Sequence, residues 1–465
     1  MIERTLKHIA KVLDASILNQ PDDKNAGICG VSIDSRTVKP GNLYVPLKGA
    51  RVDGHDFIAP AYTNGAAAAL WAIDRIPYPN FIPLILVRDP LAAMQKLAKS
   101  YLSEIDPLTI GITGSNGKTS TKDMAASILS EKYPTIKTQG NHNNEIGLPL
   151  TIFDLEEDTK AAVLEMGMEN YGEIDFLCSI APLDIAAIVS IGSAHMENFG
   201  NRYNIAKAKC EIIHGLRKRG ILIYDKDSKE IEEVLQDDPA PVSVRKISFS
   251  GKGNTDADLF VTSDISYRHD GIEFNADGIL RNIFVPAAGR HQASNALCAI
   301  AIGQAAGLDE NQILEGLSRT ELTKMRSRLY PLKKGTILDD SYKSNPESAK
   351  AGIDTLMAIP ANKHVAVLAG MLDLGENEKL LHEEVGKYAR EKGVDLLYTY
   401  KTPGCFIADG FGDQAVKSDD KKELIETLRP LFDEKTAVLI KGSRAFKMDE
   451  IVNALLEEEN CNEKN

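Results

Sequence analysis

The first hundred residues end in a strand followed by an amphipathic helix. In "PLILVRDPLAAMQKLAKSYLSEI", an apolar run precedes Asp89 and Pro90, which suit the N-cap and the first position of a helix. Apolar residues then recur at steps of three and four, which places on one helical face Leu91, Met94, Leu97, Ala98, Tyr101, Leu102 and Ile105. Pro107 precedes a new strand, so we place the first domain boundary near residue 105.

Between Leu108 and about Ala306, uninterrupted apolar runs alternate with helical patterns. The strand candidates are "LTIGI", "AAVLEM", "DIAAIVSI" and "GILIY", and helices begin at Lys118, Asn204 and His291. Continuous apolar strands separated by helices predict a mainly parallel sheet that is covered on both faces. The short alternating strands within residues 256–289 predict an antiparallel elaboration at an edge of the same domain.

The alternation of strands and helices restarts after Arg319. Strands are predicted at "TILDDSY", "HVAVLAG", "DLLYTY" and "TAVLIKGS", with helices at "KLLHEEVGKYAREKG" and "RAFKMDEIVNALLEEE". This pattern is typical of a second, smaller Rossmann-like unit. The fold class is therefore α/β with three domains, over residues 1–105, 106–319 and 320–465.

Composition and charge restrict the kind of protein. Of the 465 residues, 43% are hydrophobic, and no apolar run approaches the length of about 18–20 residues that a membrane span needs. The start "MIERTLKHIAKVLDAS" lacks the apolar core of a signal peptide, and the six scattered cysteines include no C-x-x-C pair. We expect a cytoplasmic monomer. The net charge of -13 argues against a nucleic-acid partner, so positive contacts to an anionic substrate must be local.

One such place is the stretch "LTIGITGSNGKTSTKDM". Gly111, Gly114 and Gly117 allow tight turns that present backbone N–H groups, Lys118 offers a charge, and Thr119 offers a hydroxyl for magnesium. A strand precedes these residues and a helix follows, so the helix N-terminus faces the anion. The order of elements favours phosphate binding over a Gly-rich turn that carries a solvated lysine.

Three further residues are candidates for the same site. Glu165 ends "AAVLE" and His195 follows "IAAIVSIGSAH", so both are predicted at the carboxyl edge of the sheet, where α/β folds bind ligands. In "NIAKAKCEIIHGL", Lys209 lies within the apolar stripe, whereas Lys207 points to nearly the opposite side. An inward lysine usually snorkels or pairs with an acid, but a desolvated neutral amine can also act as a nucleophile or add carbon dioxide.

The loop "TQGNHNNEIGLPLT" carries four adjacent amide or imidazole side chains. Asn141, His142, Asn143 and Asn144 precede a Gly-x-Pro turn. Such groups each need hydrogen-bond partners when they are buried, so a core role is unfavourable. They suit a loop that faces a substrate, with a simple polar turn as the alternative.

These runs resemble the Mur ligases, ATP-dependent enzymes that extend the cytoplasmic peptidoglycan precursor. The similar runs are "GITGSNGKTST", "NHNNEIGLP", "EMGMENYGEI", "GSAHMENFG" and "AKAKCEI". The usual P-loop spacing requires a glycine where this chain has Ile112, but the family pattern G-x-x-G-x-x-G-K-S/T is matched in full. The run "IDSRTVKPGNLYVPLKGARVDGHDF" is similar to the UDP-substrate domain, which the resemblance places in residues 1–105, before the central ATP-binding domain.

Within the family, the third domain is most similar to the branch that adds D-alanyl-D-alanine. "LDDSYKSNPES", "AGMLDLGENEKLLHEEVG" and "VLIKGSRAFKMDEIV" carry this similarity. The resemblance implies that ATP activates the carboxylate of UDP-N-acetylmuramoyl-tripeptide as an acyl phosphate, which the amine of D-alanyl-D-alanine attacks. Lys343 and Ser344 replace the Asn-Ala pair of the family, and Gln292 replaces an asparagine.

The resemblance also assigns site residues. The catalytic residues are Lys118, His195 and Lys209, with Lys209 carbamylated, and the Mg²⁺ ligands are Thr119, Glu165, His195 and Lys209. The substrate contacts are Ser35, Arg36, Asn141, Asn143 and Asn144. The ATP contacts are Thr113, Gly114, Ser115, Asn116, Gly117, Lys118, Thr119, Ser120, Asn295, Arg326, Asp340, Tyr342 and Asn345.

Two other functions stay open on the sequence alone. Folylpolyglutamate synthase has a similar phosphate loop and also forms an acyl phosphate, but it has no reason to carry the "DSRTVKPGNLYVPLKG" domain. A nucleotide-dependent switch would bind ATP without ligation, and the inward Lys209 counts against it.

Overall fold

The chain forms two compact units in a computed structural model that describes residues 1–23, 25–194, 196–332, 335–432 and 435–462. Unit 1 comprises Met1–Gly111, Tyr133–Ala186 and Glu211–Gly220. Unit 2 comprises Ile112–Lys132, Ala187–Cys210 and the chain from Ile221 onward.

Short strands and three helices make up the first segment of the chain. They are β1 Glu3–Thr5, α1 Leu6–Leu13, β2 Ser16–Leu18, β3 Gly27–Cys29, β4 Val31–Ser32, β5 Leu43–Tyr44, α2 Ile58–Thr63, β6 Ala68–Ala72, β7 Leu84–Val87 and α3 Pro90–Ile105.

The middle segment alternates strands and helices and then becomes strand-rich. Its elements are β8 Leu108–Thr113, α4 Lys118–Ser130, β9 Thr135–Lys137, α5 Gly147–Phe153, β10 Ala161–Glu165, α6 Glu173–Ile180, β11 Leu183–Ile188, α7 Met196–Phe199, α8 Arg202–Cys210, β12 Leu216–Asp225, α9 Lys229–Asp237, β13 Arg245–Ser250, β14 Leu259–Phe260, β15 Ser266–Arg268, β16 Gly271–Phe274, β17 Ile283–Val285 and α10 His291–Ala305.

The last segment repeats the alternation. Its elements are α11 Glu310–Ser318, β18 Arg328–Pro331, β19 Thr336–Asp340, α12 Pro346–Ala358, β20 Lys363–Ala369, α13 Glu378–Glu391, β21 Leu396–Tyr400, α14 Cys405–Phe411, β22 Ala415–Ser418, α15 Lys421–Leu428, β23 Thr436–Lys441 and α16 Asp449–Asn462. Across the described residues, no helix combines the length and the apolar character that crossing a membrane requires.

Helix α3 begins and ends where the sequence predicts. The side chain of Asp89 accepts hydrogen bonds from the backbone N–H groups of Leu91 and Ala92, at 2.8 and 3.2 Å. Asp106 ends the helix in the left-handed region, with φ 47°. These two caps satisfy backbone groups that a helix terminus otherwise leaves unpaired.

The parallel sheet predicted for the middle segment is confirmed. Seven strands form it in the order β14-β13-β12-β11-β8-β10-β9. Within unit 1, β9 pairs with β10 in parallel, and within unit 2, β13 pairs in parallel with both β12 and β14. Unit 1 also holds a five-stranded sheet in the order β2-β7-β6-β5-β4, in which only β2 is antiparallel to its neighbour.

The antiparallel elaboration contains fewer of the strands in residues 256–289 than predicted. Its first strand, β14, continues the parallel sheet, because Phe249 and Ser250 of β13 pair with Leu259 and Phe260. Only β15, β16 and β17 form an antiparallel sheet, and this sheet is separate.

The Rossmann-like pattern of the last segment is also confirmed. Its six strands lie in the order β18-β19-β23-β20-β21-β22, and all neighbours except β18 and β19 are parallel. Successive residues of each strand face opposite sides, so Leu338 packs with helices α12, α13 and α14, whereas Ile337 packs with α15 and α16. Two hydrophobic layers therefore hold this sheet from both faces, and its strand ends position the loops described below.

Candidate functional site

The phosphate loop joins β8 to α4 in the predicted order of strand, glycines and helix. Gly114 and Gly117 have φ angles of +155° and +82°, and α4 begins at Lys118. The backbone N–H of Ser115 donates to the carbonyl of Ser190 at 2.9 Å, and the N–H of Asn116 donates to the Ser190 hydroxyl at 3.0 Å. The ammonium of Lys118 folds back over the loop and donates to the carbonyl of Gly114 at 2.7 Å.

Asn295 closes one side of this loop. A Cβ atom at Gly117 would lie 2.2 Å from the Oδ1 atom of Asn295, so any larger residue at that position must displace this amide. The Nδ2 group of Asn295 donates to the Oε1 atom of Gln292 at 2.9 Å, and both side chains are buried. Gln292 departs from the family pattern, yet it orients the amide of Asn295.

The segment between β19 and α12 contacts the same loop. The Nδ2 group of Asn345 donates to Oδ1 of Asn116 at 2.9 Å. Asn345 also caps α12, because its Oδ1 atom accepts from the backbone N–H of Ser348 at 2.8 Å. One side chain therefore serves as a helix cap and as a contact to the phosphate loop.

A second contact in this region was not predicted. The carboxylate of Glu347 accepts from the hydroxyl of Ser193 at 2.5 and 2.6 Å, and from its backbone N–H at 3.0 Å. Both residues lie inside runs that resemble the family, but no spacing in the sequence pairs two residues 154 positions apart. The sequence carries no local signal for this pairing, because an acidic residue in the first turn of a helix, such as Glu347 in α12, is common in any helix.

Three other predicted ATP contacts lie in the last segment, namely Arg326, Asp340 and Tyr342. The guanidinium of Arg326 stacks over the ring of Tyr342, 4.3 Å from its centroid, and the buried Nε atom of Arg326 finds no hydrogen-bond partner among the described residues. Asp340 accepts from the buried ammonium of Lys441 at 2.5 Å and from the backbone N–H of Ser327 at 3.1 Å.

Lys209 is the inward lysine that the helical pattern predicts. It lies in α8 with 2% of its surface exposed, whereas Lys207 is exposed. Burial lowers the pKa of Lys209 well below its ordinary value, and the nearby positive charges of Lys118 and Lys343 lower that pKa further. The lowered pKa increases the share of the neutral amine, which is the form that reacts with electrophiles.

In unit 1, Glu165 lies at the end of β10 as predicted, and it is buried. Its carboxylate accepts from the Nδ2 group of Asn143 at 2.9 Å, and its backbone N–H donates to the hydroxyl of Thr138 at 3.0 Å. Asn143 therefore orients this carboxylate from the polar loop that the sequence singles out. His195 lies outside the described residues.

The other two candidate asparagines of the polar loop, Asn141 and Asn144, form hydrogen bonds within the loop itself. The Oδ1 atom of Asn144 accepts from the backbone N–H of Gly147 at 2.9 Å, so this side chain shapes the start of α5. Asn141 is exposed, and its carbonyl accepts from the N–H of Asn143 at 2.8 Å. Only Asn143 of the three asparagines bonds to another candidate side chain in the described part of unit 1.

The two candidates for the UDP moiety lie near the start of unit 1. Arg36 is 86% exposed and pairs with Asp34, with 2.6 Å between Nη2 and Oδ2. Hydrogen bonds from Arg36 lower the pKa of Asp34 to about 2. Ser35 is buried, and its carbonyl accepts from the side chain of Asn64 at 2.8 Å.

Two of the predicted metal ligands carry the oxygen atoms that a hard divalent cation prefers. Thr119 supplies a buried hydroxyl in unit 2, and Glu165 supplies a buried carboxylate in unit 1. Within the described parts of the chain, no group of three or more His, Cys, Asp or Glu side chains is placed to hold a metal ion.

Three family models match the chain in succession. Residues 27–101 match "Mur ligase family, catalytic domain", residues 112–303 match "Mur ligase middle domain", and residues 325–444 match "Mur ligase, glutamate ligase domain".

Individual proteins are similar over almost the full length. The UDP-N-acetylmuramoyl-tripeptide--D-alanyl-D-alanine ligase of Bacillus subtilis (strain 168) is 39% identical over 464 residues, which cover 98% of this chain and 99% of that protein. The crystal structure of MurF from Acinetobacter baumannii superposes with a TM-score of 0.88 at 27% identity and covers 98% of this chain and 99% of its own. The MurF ligase of Thermotoga maritima, solved in complex with ADP, gives a TM-score of 0.82 at 28% identity over 93% of this chain and 98% of its own.

Proposed function

Because the chain belongs to the Mur ligase family, we propose that it is an ATP-dependent ligase that joins D-alanyl-D-alanine to UDP-N-acetylmuramoyl-tripeptide. The observation that carries the proposal is the phosphate loop, on which Lys118, Asn295 and Asn345 converge. The relative from Bacillus subtilis, which bears this activity in its name, aligns with this loop and with the segments on either side of it.

The reaction proceeds in two steps. The terminal carboxylate of the tripeptide attacks the γ-phosphorus of ATP, which gives an acyl phosphate and ADP. The amine of D-alanyl-D-alanine then attacks the acyl carbon and loses a proton, and phosphate leaves from the tetrahedral intermediate. The first step brings a carboxylate against the anionic triphosphate, and the second develops negative charge on the tetrahedral intermediate, so positive charge and backbone N–H groups must be aimed at the reacting groups.

The phosphate loop supplies these groups. The ammonium of Lys118, which donates to the carbonyl of Gly114 in this structure, would turn to the β- and γ-phosphates, and the start of α4 would present backbone N–H groups to them. Asn295 and Asn345 border the loop, and Ser115, Asn116 and Ser120 complete the contacts on its own side. Thr113, Arg326, Asp340 and Tyr342 belong to the same nucleotide site.

Magnesium is the metal that this site takes. Thr119 and Glu165 would supply oxygen ligands to it, and His195 would bind a second ion. When bound, the metal neutralises charge on the phosphate oxygens. Asn143 keeps the Glu165 carboxylate in place through its 2.9 Å hydrogen bond.

Lys209 acts as a carbamate in this proposal. Its neutral amine would add carbon dioxide and release a proton, which would convert the buried amine into an anionic carbamate with oxygen atoms for the metal. The burial of Lys209 and its lowered pKa support this conversion, since both favour the neutral amine.

The remaining assignments are also proposals. Ser35 and Arg36 bind the UDP moiety, while Asn141, Asn143 and Asn144 face the peptide substrate. The domains span residues 1–105, 106–319 and 320–465, and the enzyme works as a monomer in the cytoplasm.

Purified protein tests the activity directly. We expect phosphate release to require ATP, magnesium, UDP-N-acetylmuramoyl-tripeptide and D-alanyl-D-alanine together, with a UDP-linked pentapeptide as the product in mass spectrometry. Lys118→Ala should abolish release because the phosphates lose their charged partner. Equal activity with glutamate would favour the folylpolyglutamate type of ligase, and phosphate release without an acceptor peptide would favour a nucleotide switch.

A further inference from the structure

A buried lysine that has no assigned role lies beneath the loop that contacts the phosphate site. Lys441 is the last residue of β23, and only 1% of its surface is exposed. Its ammonium donates to Oδ2 of Asp340 at 2.5 Å and to the backbone carbonyl of Lys343 at 2.8 Å. One side chain therefore holds two points of the segment that follows β19.

The position of this ammonium is set by the sheet. Asp340 and Lys441 are paired residues in the parallel register of β19 and β23. The aliphatic part of Lys441 packs toward α12, since a Cβ atom at Gly352 would lie 3.3 Å from its Cδ atom. A small residue at 352 leaves room for the lysine to pass under the first turns of α12.

Charge makes the contact specific. Burial raises the pKa of Asp340, but the charge and hydrogen bond of Lys441 outweigh it and leave that pKa below its ordinary value. Asp340 also accepts from the N–H of Ser327, and the half-buried His291 lies close enough to interact with it. A buried pair of this kind generally contributes little net stability, but it can hold the chain in one conformation.

The segment held by Lys441 reaches the phosphate loop within two residues. Lys343 gives its carbonyl to Lys441, and Asn345 gives its side chain to Asn116 of the phosphate loop, at 2.9 Å. Glu347, two residues further on, binds Ser193. The backbone is therefore anchored to the sheet immediately before the side chains that contact the nucleotide site.

We propose that Lys441 is a positioning residue for ATP: it holds residues 340–345 so that Asn345 meets the phosphate loop in the geometry that binds the nucleotide. This inference rests on the proposed function only in requiring that ATP binds at this loop. Lys441 acts through its hydrogen bonds to the carboxylate of Asp340 and to the carbonyl of Lys343.

The variant Lys441→Met tests the proposal, because methionine keeps the volume and removes the charge and the donors. In the full-length protein, the dissociation constant of a non-hydrolysable ATP analogue should rise about tenfold or more, a loss typical of a broken hydrogen-bond network. Lys417→Met is the matched control: it breaks a lysine–aspartate pair of the same domain, with Asp409, at a surface where the two side chains are 48% and 41% exposed. This control should bind the analogue like the wild type.

A double-mutant cycle separates positioning from general destabilisation. Asn345→Ala should weaken analogue binding roughly 2- to 10-fold in the wild type. In the Lys441→Met background it should have almost no further effect, because Asn345 is already displaced. Fully additive losses, or unchanged affinity in Lys441→Met, would overturn the proposal.

If Lys441→Met does not fold, Lys441→Gln takes its place in the cycle, since its shorter neutral side chain cannot span both acceptors. The wild-type measurement keeps the two proposals apart. A wild-type protein that does not bind the analogue contradicts the proposed function, whereas binding that survives the loss of Lys441 contradicts only the role of this residue.

Discussion

Gly117 shows how much of the site depends on a single absent methyl group. Its φ angle is +82°, and the space where a Cβ would stand is occupied by the amide of Asn295. Gly172, at the start of α6, has the same φ angle of +82° but nothing within 4 Å of its Cβ position. Substituting the two glycines therefore distinguishes the cost of a left-handed backbone, which both share, from the steric conflict, which only Gly117 has.

We predict that Gly172→Ala loses about 1–2 kcal/mol of stability, the cost of a left-handed alanine, and that Gly117→Ala loses more, because its methyl group also meets Asn295 and Val189. Only Gly117→Ala should also lose affinity for ATP, since its methyl group must displace Asn295, which Gln292 holds in place. Thermal unfolding and calorimetric titration with an ATP analogue measure the two effects. Equal nucleotide affinity in both variants would show that Asn295 yields to the methyl group.

Sequence reasoning reached some of these residues and not others, for a physical reason. Lys209 was predicted to be buried because the helical period is local, and a local pattern fixes which side of a helix a residue faces. The partners Ser193 and Glu347, or Asn116 and Asn345, meet only when distant segments fold together. No periodicity encodes such a meeting, so the sequence predicts the types of group at the site but not their pairing.

Helix α12 links secondary structure to the site through its cap. Asn345 satisfies the backbone N–H of Ser348 with its oxygen atom and Asn116 with its nitrogen atom. The two functions use opposite ends of one amide, so they can be separated by substitution.

We predict that Asn345→Ser keeps the stability of the wild type, because serine is an equally good N-cap, but loses affinity for ATP since its side chain is too short to reach Asn116. Asn345→Ala should lose the same affinity and in addition about 1 kcal/mol of stability. Thermal unfolding and analogue titration of the two variants test this. A serine variant with normal affinity would mean that the contact with Asn116 does not matter for binding.

Elements were predicted more reliably than their ends. The helix that carries Lys209 ends at Cys210, a 3-10 turn follows over Glu211–Gly215, and β12 begins at Leu216, four residues before the predicted strand "GILIY". Its first residues are "LRKR", whose charges hide the strand from an apolar pattern. Arg217 of this run pairs with Asp184 of β11 at 3.2 Å, a partner that only the folded sheet supplies.

At the scale of the whole molecule, the buried amine of Lys209 lowers the stability of the fold, although the proposed function requires that amine. Its pKa is lower in the folded protein than in the unfolded chain, so the unfolded chain binds more protons between these two pKa values. Stability must therefore rise as the pH rises through this window, up to the unfolded pKa of about 10.4.

We predict that Lys209→Met unfolds at a higher temperature than the wild type at pH 7, because an apolar side chain replaces a buried amine, a change commonly worth about 1–4 kcal/mol. The difference should narrow toward pH 9–10, and the variant should be inactive. Thermal unfolding in buffers free of carbon dioxide measures this difference in unfolding temperature at each pH. A difference that stays constant with pH would mean that Lys209 does not titrate as an isolated buried amine.

The hydrogen bond between Asn116 and Asn345 also couples two distant segments of the chain. These positions are 229 residues apart and fall in the two segments that match the middle-domain and glutamate-ligase models. A substitution at either one removes a partner from the other, so we expect the effects of substitutions at the two positions to be non-additive, and the same holds for Ser193 and Glu347. Exchanging one of these segments for that of a distant relative should therefore weaken ATP binding unless the incoming segment supplies the same bonding residues.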